Sequence, residues 1–144
     1  MVNMKIRNFY YLIAGFLAML FAVTHAWNGQ SVVLPKLDID AISVDNQIIF
    51  TYIWHIITGE NLVFGIAFII MSIQTERSNI RFTAYLIAVI LIVRLMVIVG
   101  VTSMLDVSRL TDTLIDSIAI VIYIALIIQG TSVKKKQYDG QQPQ

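Results

Sequence analysis

The chain has 144 residues, 58% of them hydrophobic and 13% charged, with ten Lys and Arg against nine Asp and Glu and a mean hydropathy of +0.78. A soluble domain carries about 25% charged residues to cover the surface that folding leaves in water, and a disordered chain needs low hydrophobicity and high net charge, so both classes are excluded. With no cysteine, disulfide frameworks, zinc–thiolate sites, iron–sulfur clusters and thiol relays are excluded as well.

A hydrocarbon core needs ~20 helical residues, and four stretches meet that requirement. The first covers residues 9–27. Lys5, Arg7, the apolar run and Thr24-His25-Ala26 together resemble a signal peptide with a small-residue cleavage site. Against that reading, Ala14, Ala18, Ala22 and Ala26 recur every four residues, a small-residue face of the kind that lets membrane helices approach closely. A retained, packing helix is expected, and this face is a candidate contact for a second copy or a membrane-complex partner.

The loop at 28–47 follows. Leu37, Ile39 and Ala41 alternate with Lys36, Asp38 and Asp40, which predicts a short extended segment over the mouth of the bundle. Asp38-Ile39-Asp40 is a D-x-D tripeptide, too common to count as a cation site and read as a solvated acidic cap. The remaining spans are predicted at 48–73, 82–104 and 113–130, joined by short connections suited to antiparallel neighbours. Residues 1–130 thus form one domain, an all-α, integral membrane four-helix bundle, and 131–144 a polar, basic, disordered tail.

Basic residues set the orientation. Lys5, Arg7, Arg77, Arg81, Lys134, Lys135 and Lys136 fall on one side, Lys36 and Arg109 on the other, and Arg94 lies inside a helix. Both termini are therefore expected in the cytoplasm of a cell bounded by this plasma membrane. Lys134, Lys135 and Lys136 serve topology and attract anionic lipid; they are not a nucleic-acid site.

Ionisable groups within the spans carry the functional information, because each is costly in lipid. Counted inward at 1.5 Å per residue, His25 and Asp116 lie ~3–5 Å deep, His55 ~10 Å, and Glu60 and Arg94 ~15–18 Å. The other half of each span holds no charge, so a polar ladder through the whole membrane is missing. Glu60 and Arg94 match in depth on antiparallel neighbours and are expected to form a buried ion pair, with Asn61 beside them as a further hydrogen-bonding group. Thr51, His55, Thr58 and Gly59 face away from Glu60, which predicts a second span that is polar on two sides and central to the bundle. Asp112, Asp116, Ala119 and Tyr123 share a stripe on the fourth span, with Ser117 beside it. Asp112 reads as the acid at that helix's N-terminus, and Asp116 as a group needing His25 or His55 as partner.

His25, His55 and Asp116 are weak candidates for a metal site, lacking any local ligand spacing. Haem between the two histidines is disfavoured by their different depths, and no other cofactor is implied. No P-loop, dinucleotide fingerprint or nucleophile elbow is present, and no catalytic residue is assigned. The leading expectation is an outward-open polar pocket lined by Arg94, Glu60, His55, Asp116, His25 and Asn61. It would bind a small anionic molecule, a lipid headgroup or an ion. The alternatives are a non-catalytic subunit or assembly partner of a larger membrane complex, an oligomeric ion or proton conductor, and, last, a membrane enzyme using His and Asp at the outer mouth.

Overall fold

The computed structural model describes residues 5–38 and 42–133. Four helices follow one another: α1 (Phe9–Asn28), α2 (Val44–Ile73), α3 (Arg77–Leu105) and α4 (Leu114–Ser132). The protein is an all-α four-helix bundle, and each helix is long and apolar enough to cross a membrane. At 1.5 Å per residue, α4 with its 19 residues spans about 28 Å and α2 with its 30 residues about 45 Å, against ~30 Å of hydrocarbon.

Local sequence explains the boundaries. Asn8 caps α1, its side-chain oxygen accepting from Tyr11 N at 3.2 Å, and Ser43 caps α2, accepting from Asn46 N at 3.4 Å. Gln74 is extended and ends α2, leaving a three-residue turn, shorter than expected because α3 begins at Arg77. Between α1 and α2 the chain continues as a π turn (Gly29–Val33) and a 3-10 turn (Leu34–Asp38). The start of the predicted extended lid, Lys36 to Asp38, is thus helical, and the rest of it lies outside the described residues, as do Asp40 of the D-x-D and the basic tail.

A second 3-10 turn (Val107–Thr113) joins α3 to α4. It moves the start of α4 past Asp112, which instead pairs with Arg109 at 3.3 Å, so Asp116 is the acid in the first turn of α4.

The helices pack unevenly. α1 lies against α2 along its length and also touches α4, while α4 touches α3; α2 and α3 scarcely meet. The two-sided polarity of α2 predicted a central helix. It lies at the edge instead, because the closest approach in the bundle is made by glycines of α1 and α2. A methyl on Gly15 would sit 2.7 Å from Ile69 Cγ1 and 2.9 Å from the Gly65 carbonyl, and one on Gly65 would sit 2.6 Å from Met19 Cγ. In lipid such contact replaces the hydrophobic driving force that water would supply. Ala14, Ala18 and Ala22 are buried within the bundle, and Ala26 is partly exposed.

Among the described residues of the four helices, the buried ones occupy one half of the bundle. They run from Tyr11 to Ala22 in α1, from Asn61 to Ser72 in α2, from Ile80 to Leu91 in α3 and from Ile120 to Thr131 in α4. Tyr11, Phe68, Tyr123 and Phe21 link three helices there through ring pairs 5.6–6.0 Å apart. This terminal half carries both ends of the described chain, at residues 5 and 133. In the opposite loop half no described residue of the four helices is buried.

Candidate functional site

All five ionisable span residues named from the sequence lie in the loosely packed loop half, beyond the last buried layer of Ala22, Asn61, Leu91 and Ile120. Arg94 on α3 and Glu60 on α2 form an ion pair, as their matched depths suggested. The pair is half-buried, not buried: 16% of the Arg94 side chain and 32% of that of Glu60 remain exposed, because α2 and α3 do not close over them. Asn61, buried at the edge of the core, accepts from Arg94 Nη1 at 2.9 Å. A guanidinium has five N–H donors; Glu60 and Asn61 engage two, which leaves three.

The two histidines separate. His25 stacks on Trp54, ring centroids 4.3 Å apart and 5° from parallel, while Trp54 Nε1 donates to the His25 carbonyl at 2.9 Å. The indole occupies the space that a side chain at Gly29 would need. His55, the residue after Trp54, turns to a different partner: Gln30 Nε2 approaches its Nε2 at 2.7 Å, and with the amide as donor the imidazole proton is on Nδ1. Asp116 is exposed and makes no hydrogen bond or ion pair among the described residues; of its expected partners, His25 is in electrostatic range only. The place of Asp116 in the first turn of α4 gives the physical reason: the positive end of the helix dipole and an open surface support the charge there.

Among the described residues, buried polar atoms of the loop half and its border that lack a hydrogen-bond partner are His25 Nε2, Ser117 Oγ and Tyr123 Oη. His25 and Tyr123 both lie within electrostatic range of Arg94, and His55 and Asp116 within range of His25. Tyr123 and Ser117 were legible on the α4 stripe, yet a hydroxyl on an apolar helix reads as packing until its missing partner is seen. Among the described residues no three His, Asp or Glu side chains come close enough to hold a metal, so His25, His55 and Asp116 are not a ligand set.

Neither of two cavities found among the described residues gathers the residues expected to line one pocket. A shallow depression on α2 is lined by Gln47, Thr51, Tyr52 and His55 among others. A more enclosed cavity of about 150 Å³ lies in the opposite, terminal half. No protein-family description, curated protein or solved structure matches this chain.

Proposed function

We propose that this multi-pass membrane protein binds a small anionic molecule in the loop half of its bundle, with Arg94 as the recognising cation. The observation that carries the reading is the set of unpartnered buried atoms, His25 Nε2, Ser117 Oγ and Tyr123 Oη, alongside three unused donors on Arg94. Buried polar groups are almost always satisfied, so such a cluster calls for an acceptor-rich guest such as a carboxylate or phosphate. Glu60 holds the guanidinium in place while the site is empty, and Asn61 fixes its plane. Loose packing between α2 and α3 supports entry from the loop side, and the packed layer of Phe68, Leu91 and Ile127 supports a closed far end. With the basic residues counted as cytoplasmic, the site would open to the outside of the plasma membrane.

The test is a thermal-shift screen of the protein in nanodiscs against small mono- and dicarboxylates and phosphate esters. A stabilising anion whose effect disappears in Arg94→Lys, which keeps the charge but loses the planar fork, supports the proposal. A panel with no effect on wild type, or one whose effect survives Arg94→Lys, overturns it.

A second reading makes Glu60, Asn61 and Arg94 a clamp between helices in a non-catalytic subunit or assembly partner of a larger complex. It is favoured by the direct engagement of Arg94 by both α2 side chains. Under that reading Arg94→Met weakens the fold and no ligand depends on it.

A further inference from the structure

The cavity of about 150 Å³ at the terminal end is independent of the Arg94 site. Its walls include Arg7 and Asn8 ahead of α1, Tyr11 in the first turn of α1, Thr75 in the α2–α3 turn, Arg81 on α3 and Thr131 near the end of α4. All four helices therefore contribute to one small space, by themselves or by the residues that flank them.

Its charge is arranged for an anion. Arg7 and Arg81 are exposed, come from different elements and join no ion pair among the described residues. Helix C-termini at this end would repel an anion through their free carbonyls, but the nearest ones are engaged. Ser72 O accepts from Arg7 N at 2.8 Å and from Asn8 N at 3.1 Å, and Gly130 O accepts from Asn8 Nδ2 at 2.8 Å. At the start of α3, next to Thr75, Glu76 makes no side-chain cap hydrogen bond.

A separate observation points to a guest. Tyr11 is only 2% exposed, its hydroxyl is buried without a hydrogen-bond partner, and that hydroxyl lies within electrostatic range of Arg81. The ring is held by Phe68 and by the bare backbone of Gly130, so the hydroxyl is presented from a rigid wall. Topology alone explains basic residues at this end. It does not explain a buried, unpaired hydroxyl next to them.

We propose that this cavity binds a phosphate group through Arg7, Arg81 and the Tyr11 hydroxyl. At about 30 Å³ per water, the space holds roughly five waters, enough for a phosphate and its ester oxygen and too little for an acyl chain. Phe9 and Phe82, exposed on α1 and α3 beside the two arginines, offer an apolar path on which the chains of a phospholipid would lie. The phosphate has two possible sources, a lipid headgroup and a soluble phosphate.

The experiment uses the full chain in nanodiscs of phosphatidylcholine, with or without an equal amount of phosphatidylglycerol, and reads retained lipid by native mass spectrometry. A parallel arm titrates inorganic phosphate into phosphatidylcholine nanodiscs and reads thermal stability. Binding in either arm should fall about tenfold in Arg7→Gln and in Arg81→Gln, and about twofold to tenfold in Tyr11→Phe. It should be unchanged in Arg109→Gln, which removes a charge from the opposite end. Selective retention of phosphatidylglycerol identifies a headgroup site, and stabilisation by inorganic phosphate identifies a soluble one. The proposal is overturned if neither probe binds, if Tyr11→Phe and Arg81→Gln bind like wild type, or if Arg109→Gln loses as much as they do.

Discussion

Arg94 donates through Nη1 to Asn61 Oδ1 at 2.9 Å, and so joins α3 to α2, two helices that otherwise scarcely touch. Interhelical hydrogen bonds in membranes average about 0.6 kcal/mol, and bonds to a charged group reach roughly 3 kcal/mol. Asn61→Ala is therefore expected to lower unfolding free energy by an amount between these limits. A double-mutant cycle with Arg94→Met, followed by SDS unfolding, checks it; strict additivity of the two losses would deny the coupling.

Glu60 holds the other side of the same guanidinium. Removing one member of a fully buried pair costs about 3–5 kcal/mol, and the partial exposure of this one reduces the expectation for Glu60→Leu to about 1–3 kcal/mol. Exchanging the charges, with Glu60→Arg and Arg94→Glu together, should recover part of the loss. Recovery is measured as detergent-phase melting temperature against the two single variants.

Glycines divide sharply by position. Gly15→Ala forces a methyl to 2.9 Å from the Gly65 carbonyl, a backbone atom that can move only with its helix. A loss of about 1–3 kcal/mol is expected, as for overpacked cores. A side chain at Gly59 or Gly100 meets nothing within 4 Å, so Gly59→Ala and Gly100→Ala should each stabilise by about 0.5–1 kcal/mol through helix propensity. Thermal melts of the three variants test the contrast, and a stable Gly15→Ala would contradict the tight α1–α2 crossing.

Trp54 covers Gly29 and donates to the His25 carbonyl at 2.9 Å. Gly29→Ala should expel the indole from this seat. In a Trp27→Phe background Trp54 is the single tryptophan, and its fluorescence should then become more accessible to aqueous quenchers. An unchanged quenching constant would mean that the ring does not rest on Gly29.

Asp106 gives a local pH dependence outside the spans. The Ser108 hydroxyl and then the Ser108 backbone N–H donate to its carboxylate, at 2.7 and 2.9 Å, and hold it below the usual carboxylate range. A folded value below the unfolded one means that the contribution is present above the unfolded pKa and is lost as pH falls through the folded value. Acidification below about pH 4 should therefore fray the turn Val107–Thr113 while the helices persist. Amide exchange of that turn measures it, and Asp106→Asn should abolish the dependence.

Much of the Arg94 site was legible from single residues. A lone Arg and a lone Glu at equal depth on consecutive spans have few alternatives to pairing, and Asn61 was noted beside them. For Asp116 the sequence did not show that a 3-10 turn takes up Asp112 and puts Asp116 in the first turn of α4, exposed and in only electrostatic range of His25. Tyr11 gave no functional signal, since a tyrosine in an apolar run is ordinary. Its importance comes from Gly130 and Arg81, distant in sequence and adjacent in space.

Hydropathy and length were sufficient for four helices of membrane-spanning length and for their order, because lipid demands about twenty apolar residues per crossing. The pairing of α1 with α2, the edge position of α2 and the division into a packed half and an open half were settled only in three dimensions. In lipid, the faces that pack and the faces that meet the bilayer are equally apolar, so hydropathy does not distinguish them. The distinction arises where small residues oppose one another, as Gly15 does Gly65, and that opposition exists only once the helices have met.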